Sequence, residues 1–316
     1  MGVLDIGNYQ YEVVQWIFFF YSYCLLGWIF ESTYVSMKKK RFVNRGFMRG
    51  PFLPLYGSGA IIMLIVSAPF KESLVLVYVA GCIGATVLEY VTGVVMEALF
   101  KVRYWDYSKQ PFNFRGHICL GSSLAWGGLT VLMTQFLHKP VESFVLAVPM
   151  NVIVPLTFLI TMIIVADFSL SFKAALDIRD ILVRLEKTKE DVERMSKRLD
   201  VMIALVNDDM ENWKTEQGER LDVLKLDMEE RFERLKENIS EKQSEYLVGL
   251  KEEIEELREK YHINRELIKQ LKYFKDFYKR NMLLGNPNMV SGKFKEALEE
   301  LKEAVFERKN KKDDEK

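Results

Sequence analysis

The segment Leu74–Phe100 reads LVLVYVAGCIGATVLEYVTGVVMEALF, 27 residues that include only two charged side chains. A helix of about 20 apolar residues crosses the hydrocarbon core of a bilayer, because each residue advances the helix by about 1.5 Å. A soluble protein would need polar partners to cover such segments, and the sequence supplies none. The sequence therefore predicts an all-α fold that begins with a five-helix transmembrane bundle, whose other spans are Val13–Met37, Phe52–Phe70, Ile118–Leu137 and Phe144–Leu170.

Charge divides the chain into two parts. Residues 1–172 contain 12 Lys and Arg and 9 Asp and Glu, so about 12% of them are charged, whereas residues 173–316 contain 32 and 35, about 47%. The first part is too apolar for a water-soluble domain, and the second is too charged to build a large core. We therefore predict a transmembrane domain over residues 1–172, a cytoplasmic coiled coil over 173–284, and a short amphipathic helix with a disordered tail over 285–316.

Basic residues lie on alternate connections between the predicted spans. Ten Lys and Arg residues lie in the first and third connections, whereas the second and fourth contain only Lys71 and Lys139. Because basic loops stay in the cytoplasm, we expect the N-terminus outside and the C-terminal region inside a multi-pass protein of the cell membrane. The acidic start, with Asp5 and Glu12, indicates no cleavable signal peptide.

Apolar residues recur every seven positions in the charged part, which is typical of a coiled coil. The series Ile178, Leu185, Val192, Leu199, Val206 and Trp213, with Met202 on its companion series, fails near Asn207–Gly218. A later phase through Ile254, Leu257 and Tyr261 puts Asn264 at a core position. The pattern leaves open whether this region folds back on itself, forms a homo-oligomer or binds another protein. Its net charge of −3 gives no argument for nucleic acid.

Three glutamates lie inside the predicted spans, where an ionisable group is costly and is therefore a candidate for function. Glu31 lies near the end of the first span, whereas Glu89 and Glu97 share one face of the third because eight residues separate them. For Glu31 and Glu97, an ion pair with a loop arginine or contact with the membrane–water interface explains the residue as well as a functional role does. The deeper Glu89 is expected to be protonated, to line a watery cavity, or to pair with an arginine, for which Arg45 and Arg115 are the candidates.

Two basic loops carry Gly, Pro, Asn and Arg at the membrane boundary, which predicts irregular backbone. Such backbone is tolerated at membrane depth only where protein or a watery cavity covers it. Ordinary loops with an aromatic belt are the alternative interpretation. The candidate substrate-binding or structural polar site comprises Glu31, Asn44, Arg45, Tyr56, Glu89, Glu97, Arg103, Asp106, Asn113 and Arg115. Loop and backbone shape is assigned to Gly46, Gly50, Pro51, Pro54, Gly57, Gly59, Gly93 and Gly116.

The two loops follow a similar pattern, which suggests an internal repeat. In each half a helix carries a late acid, an Asn-Arg-Gly or Asn-x-Arg-Gly turn follows, and a Gly- and Ser-rich segment begins the returning helix. Repeats of the same orientation are related by an axis along the membrane normal, and binding sites often lie at their interface.

Several short motifs within residues 17–130 occur together. They are Gly27-Trp28-x-x-Glu31, Asn44-Arg45-Gly46-Phe47-x-x-Gly50-Pro51-x-x-Pro54-x-Tyr56-Gly57-x-Gly59, Leu88-Glu89-Tyr90, Met96-Glu97, Trp105-Asp106-Tyr107-Ser108 and Gly116-x-Ile118-Cys119-Leu120. In these motifs the chain resembles a family of bacterial integral membrane proteins, the "putative ABC-transporter permease, type IV" family, found chiefly in Firmicutes. The C-terminal Leu283-Leu284-x-Asn286-Pro287 also resembles the family's ending. His117 stands where the family has Arg, and Gly93 where Ser is common, so the resemblance does not imply an identical ligand.

The resemblance implies a permease component with a separate ATPase subunit as a possible partner, because the chain contains no GxxxxGK[ST] phosphate-binding loop. We therefore expect a protein that binds or moves a small solute on the cytoplasmic side. The alternative is a membrane-anchored coiled-coil scaffold or sensor that recruits partners. An enzyme acting on lipid head groups is disfavoured because no nucleophile–base pair is recognisable. The scattered Cys and His residues predict neither a metal site nor a cofactor.

Overall fold

The computed structural model describes residues 3–6, 9–206, 230, 232–233, 236, 245–273 and 276–314. Helices dominate: α1 Val13–Lys39, α2 Pro54–Ser67, α3 Leu74–Phe100, α4 Leu120–Leu132, α5 His138–Ala147, α6 Met150–Val206, α7 Glu245–Lys272, α8 Phe277–Gly285 and α9 Lys295–Asp314. Two antiparallel hairpins pair β1 Val3–Ile6 with β2 Tyr9–Glu12, and β3 Asn113–Phe114 with β4 Ile118–Cys119. The chain forms two compact units: the first contains residues 1–180 and 274–316, and the second contains residues 181–273.

Three helices are long and apolar enough to cross a membrane. They are α1, α3 and the Met150–Met202 part of α6, and α2 with the 3-10 turn Ala68–Phe70 forms a shorter apolar helix. Each helix satisfies its own backbone hydrogen bonds, which is what a lipid environment demands of a spanning segment. The prediction of a helical protein with membrane-spanning segments is confirmed, whereas the count of five spanning helices stays a prediction.

The predicted fourth and fifth spans differ from the helices of the structure. α4 gives way to a π-helical turn, Met133–Leu137, which leads into α5. The next long helix starts at Met150 rather than at Phe144, because the backbone becomes extended at Val148 (ψ 123°), directly before Pro149. A residue that precedes proline avoids the α conformation. A continuous apolar run therefore concealed a helix boundary.

Close packing in the first unit relies on small residues. α1 packs on α2, α2 on α3, and α3 on α4. Gly57 lies against Cys24 where α2 meets α1, and Gly127 lies against Cys82 where α4 meets α3. Glycine lets helix backbones approach closely, which is the usual way for membrane helices to associate. Large apolar side chains stay exposed on α3 and α6, as a lipid-facing surface requires: Ile83, Val87, Val91, Phe158, Leu159 and Ile163.

The N-terminal β1–β2 hairpin closes one end of the first unit, which we name the hairpin end. Tyr9 and Tyr11 of β2 are buried and pack around Trp16 and His138. The hydroxyl groups of Tyr11 and Tyr23 lie 3.2 and 2.7 Å from the two ring nitrogens of His138. A buried polar cluster therefore ties α1 and the hairpin to the start of α5.

In the second unit, α6 and α7 pack on each other through an apolar cluster. Leu199 and Met202 of α6 are buried together with Ile254, Leu257 and Tyr261 of α7. The seven-residue pattern assigns all five positions to a core. The predicted break at Asn207–Gly218 lies outside the described residues, and the coiled coil and its oligomeric state stay predictions.

The C-terminal segment differs from the predicted domain layout. Residues 274–316 belong with the first unit, so α8 is separated from the charged region to which the sequence assigned it. α9 continues to Asp314 instead of giving way early to a disordered tail. Lys and Glu are good helix formers, and opposite charges four positions apart stabilise a helix further. These local preferences explain why the charged tail continues the helix.

Candidate functional site

The end of the first unit opposite the hairpin carries the connections 40–53 and 101–117, and we name it the basic end. In the first connection, Arg45 Nε donates a hydrogen bond to Glu31 Oε1 at 2.9 Å. The two side chains are 12% and 23% exposed, so their ion pair is largely shielded from water. The next residue, Gly46, has a φ of 128°, which only glycine adopts at low cost. The backbone is thus shaped to present Arg45 to α1.

The C-terminal segment covers this connection. Asn286 is 1% exposed, and its Oδ1 accepts a hydrogen bond from Arg45 Nη1 at 2.8 Å while its Nδ2 donates to the Gly46 carbonyl at 2.9 Å. Gly285 approaches Asn44 so closely that a Cβ would lie 2.4 Å from the Asn44 carbonyl oxygen. Sequence reasoning placed Asn286 in a shared motif but not in the site, because no local pattern reveals a contact across 241 positions.

The second connection is built around Arg103. Its guanidinium pairs with Glu97 at 2.8 Å and Asp106 at 3.6 Å, and His117 Nε2 lies 3.1 Å from the same Glu97 oxygen. Burial opposes the ionisation of Asp106, but hydrogen bonds from Ser108 and the charge of Arg103 together lower its pKa. Burial and the Arg103 charge lower the pKa of His117, although Glu97 and Asp106 act in the opposite sense. The shifts favour an ionised Asp106 beside a neutral His117.

Glu89 lies deeper in the bundle and has neutral partners. Tyr107 donates a hydrogen bond to Oε1 at 3.0 Å, while Ser122 and Trp126 donate to Oε2 at 3.2 and 3.0 Å. Glu89 is 4% exposed. Within the described part of the chain, no cationic group lies at ion-pair distance from it.

Of the three alternatives expected for Glu89, pairing with Arg45 or Arg115 is not the one that the structure shows. Arg45 pairs with Glu31, and the Arg115 guanidinium lies 5.7 Å from the ring centre of Phe114. Moving an arginine to the depth of Glu89 would strip its guanidinium of water, whereas hydroxyl and indole donors are far cheaper to bury. Sequence reasoning missed Ser122 and Trp126 because neither residue type signals a carboxylate partner.

A cavity of about 1010 Å³ lies between α1, α2 and α4. Apolar side chains form most of its wall, including Leu26 and Phe30 of α1, Met63 of α2, and Leu129 and Leu132 of α4. Ligand pockets have volumes of about 300–1,000 Å³ and the same mixture of an apolar wall with a few polar groups. The cavity is therefore large enough for a small-molecule ligand.

Three polar groups of the cavity are connected to Glu89. Tyr107, Ser122 and Trp126 line the cavity and hold Glu89 behind its wall. Tyr56 also lines the cavity. Because Tyr107 donates its proton to Glu89, its oxygen can accept a hydrogen bond from a ligand.

The other predicted site residues have structural contacts. Trp28 Nε1 donates to Asn44 Oδ1 at 2.6 Å, and the Gly116 N–H donates to Asn113 Oδ1 at 3.2 Å. Among the glycines and prolines, Gly116 has a positive φ and Gly93 lies against His117. Pro54 is the first residue of α2, and Gly59 lines the cavity. The N–H of Gly50, next to Pro51, donates a hydrogen bond to Asp167. In the described residues, no group of three His, Cys, Asp or Glu side chains is placed to hold a metal ion. The candidate site is therefore a binding cavity with polar groups near the basic end.

Comparison with known proteins agrees with the motifs of the basic end. Residues 16–172 match the family described as "Putative ABC-transporter type IV", a region that contains most of α1, all of α2–α5, both basic connections and Glu89. No curated protein and no solved structure matches the chain. Over residues 16–172, this chain belongs to the Putative ABC-transporter type IV family.

Proposed function

We propose that this ABC-transporter-type membrane protein binds a small amphipathic solute, with an apolar body and a cationic head, in the cavity between α1, α2 and α4. One observation carries the proposal: Glu89 lies behind the polar part of the cavity wall with three neutral hydrogen-bond donors. An ionisable group inside a membrane protein is expensive to keep and usually serves a ligand, a proton or a structural partner. Since the described residues supply no cation for Glu89, a ligand is the natural source.

The surrounding side chains suit such a head group. Tyr56, Tyr107 and Trp126 present aromatic rings to the cavity, and aromatic faces attract cations. Glu31 already has the charge of Arg45, so Glu89 supplies the unbalanced negative charge. The apolar wall would hold the body of the solute by excluding water.

Three probes of equal chain length test this function: decylamine, decanol and decanoate. They share an apolar tail and differ in the charge of the head, so differences in the melting temperature of the purified protein report the head-group site. We expect decylamine to stabilise the protein most, and Glu89→Gln to remove that preference while retaining the tail-dependent part. Glu97→Gln is the matched control, since the partners of Glu97 are Arg103 and His117, which do not line this cavity, whereas those of Glu89 do. Equal effects of the three probes, or a preference that survives Glu89→Gln, would refute the proposal.

Transport would require further components and a defined orientation. We propose a non-enzymatic membrane subunit that works with a separate ATPase, which would be identified by mass spectrometry of the natively purified complex. We further propose that the basic end faces the cytoplasm, as the distribution of Lys and Arg favours. Cysteine introduced at Glu72 should then react with an impermeant thiol reagent in intact cells, whereas cysteine at Lys109 should not. The reverse labelling pattern would invert the orientation and move the solute site's polar end to the outside.

A membrane-anchored scaffold is the second candidate, and one observation favours it. The second unit has its own buried cluster and a charge-rich sequence, which suits a binding platform for other proteins. Deletion of residues 181–273 separates the candidates, because a scaffold would lose its partners while decylamine binding by the first unit would persist. If deletion abolished neither partner recovery nor the cellular phenotype, the scaffold role would be excluded.

A further inference from the structure

A second cavity, of about 530 Å³, opens at the basic end of the first unit. Its wall includes four cationic side chains, Lys101, Arg103, Arg115 and Lys293, and one carboxylate, Glu97. It shares no lining residue with the larger cavity. A concentration of positive charge in a concave surface attracts anions, because the walls focus the field into the cavity.

Three separate parts of the chain supply these cations. Lys101 ends α3, Arg103 and Arg115 lie on the second basic connection, and Lys293 comes from the C-terminal segment. The backbone of Val290 pairs with that of Arg103, in both directions, at 2.7 and 2.9 Å. These contacts bring Lys293 to the cavity despite its distance in sequence.

The backbone at two of the cations is unusual. Lys101 and Arg115 have φ values of 60° and 51°, a left-handed conformation that glycine or asparagine adopts more readily. Ser291 Oγ donates a hydrogen bond to the Lys101 carbonyl at 2.7 Å, which helps to hold this conformation. The fold thus keeps long cationic side chains where a smaller neutral residue would fit the backbone better.

Internal pairing neutralises only part of the positive charge. Arg103 lies beside Glu97 and Asp106, at 2.8 and 3.6 Å. Lys101 and Arg115 are exposed, and Lys293 lies 5.4 Å from the ring centre of Phe294. Three cations therefore surround the opening of the cavity, beyond the internally paired Arg103.

We propose that this second cavity binds the phosphate group of an anionic ligand, either the head group of a phospholipid or free inorganic phosphate. Phosphate suits converging Lys and Arg donors because its oxygens accept several charge-assisted hydrogen bonds at once. Basic pockets at the ends of membrane helices are the usual binding places of anionic lipid head groups. This site is independent of the larger cavity between α1, α2 and α4, since the two cavities share no lining residue.

Two measurements on the detergent-purified full chain distinguish the sources of phosphate. Inorganic phosphate is titrated against chloride at equal ionic strength, with melting temperature as the readout. Native mass spectrometry then compares retained phosphatidylglycerol with retained phosphatidylcholine. A phosphate-specific rise in melting temperature indicates a free anion, and selective retention of phosphatidylglycerol alone indicates a lipid head group. Absence of both effects would overturn the proposal.

Lys101→Asn and Lys293→Gln should each weaken binding about fivefold, as expected for one cation near a phosphate. Lys40→Asn is the matched control, because Lys40 ends α1 with a φ of 51° and does not line the cavity. The ligand-free melting temperature of each variant shows whether it is folded, and Arg115→Asn replaces any variant that is not. Equal weakening by Lys40→Asn would mean that general surface charge attracts the anion, and the proposed site would be wrong.

Discussion

The two helix pairs of the first unit, α1–α2 and α3–α4, share a plan and differ in how they hold their acids. α1 and α3 both have 27 residues and end at a left-handed lysine, Lys40 or Lys101. The returning helices α2 and α4 have 14 and 13 residues. The first pair holds Glu31 with Arg45, whereas the second holds its deepest acid, Glu89, with neutral donors.

This difference separates a structural acid from a candidate ligand site. An ion pair in a shielded place balances its own charge, and removal of one member leaves the other uncompensated. A carboxylate held by neutral donors keeps its negative charge available to a ligand. In the first pair, Arg45 also binds Asn286 and so attaches the C-terminal segment, whereas Glu89 of the second pair has no cation among the described residues and is the acid available to the proposed ligand.

The largest expected effect follows from breaking the charge pair of the first helix pair. Arg45→Gln leaves the Glu31 carboxylate without its cation, and because this side chain is only 23% exposed, water replaces the lost partner poorly. We expect a loss of about 3 kcal/mol in the free energy of unfolding, the lower end of the range for removing one partner of a buried ion pair. The double variant Glu31→Gln/Arg45→Gln should recover most of that loss, as measured by thermal unfolding in detergent.

Arg103→Gln provides the corresponding test in the second pair. Its side chain is 23% exposed and lies beside two partly exposed carboxylates, so we expect a loss of about 1 kcal/mol. If Arg103→Gln proved as costly as Arg45→Gln, the two basic connections would be equivalent in stability and the contrast between them would fail.

The next effect tests what the two helix pairs have in common. In Gly127→Ala, the new Cβ would lie 2.4 Å from Cys82 Sγ and 2.9 Å from the Tyr78 carbonyl oxygen, so α4 must move away from α3. We expect a loss of about 2 kcal/mol from this overpacking. The adjacent Gly128 has nothing within 4 Å of its would-be Cβ, so Gly128→Ala should be neutral or slightly stabilising. Similar melting temperatures for the two variants would contradict the close approach of these helices.

A smaller effect is expected at Glu89. In Glu89→Gln the amide oxygen can still accept hydrogen bonds from Ser122 and Trp126, and the Tyr107 hydroxyl can rotate to accept one. We expect a loss of about 1 kcal/mol for Gln and about 2 kcal/mol for Glu89→Leu, which leaves the donors unsatisfied. Neither loss should be restored by Arg45→Gln or Arg115→Gln, in contrast to the first pair. Rescue by either arginine change would show a charge pair at Glu89 after all.

The sequence predicts the helical membrane fold well because hydropathy is a property of continuous segments. α1 and α3 were predicted within a few residues, since each begins and ends at a change in polarity. The break before α6 was missed, because Val148 and Pro149 interrupt the helix without interrupting the apolar run. The β1–β2 hairpin was missed as well, since four-residue strands leave too short a pattern to recognise.

The sequence predicts which residues of the site are of interest, but it does not predict which side chains contact them. The costly position of acids in a span identified Glu31, Glu89 and Glu97 as residues of interest. The structure joins Glu31 and Glu97 to loop arginines, one of the interpretations open from the sequence. The cavity and the donors of Glu89 depend on how α4 packs, and no spacing within one helix contains that information.

The smallest expected effect is a pH dependence at the hairpin end, where His138 ties α5 to α1 and to the hairpin. His138 is 2% exposed, and burial followed by the charge of Lys71 lowers its pKa, although Glu142 acts in the opposite sense. The unfolded chain, in which His has a pKa of about 6.5, therefore binds a proton at a higher pH than the folded chain. Where the unfolded state binds more protons, stability rises with pH.

This contribution to stability should be complete above about pH 6.5 and decrease as the pH falls from there towards the lower pKa of the folded state. Because Tyr11 donates its proton to Glu142, Tyr23 is the donor to His138, and a protonated Nδ1 could no longer accept that hydrogen bond, which would weaken the link between α1 and α5. We expect the melting temperature to decrease from pH 7.5 to 5.5, and His138→Gln, which keeps hydrogen bonding without titrating, to flatten that decrease. His117→Gln should remove a separate part, because the pKa of His117 is lowered as well. An unchanged slope in the double variant would mean that neither histidine contributes to the pH dependence of stability.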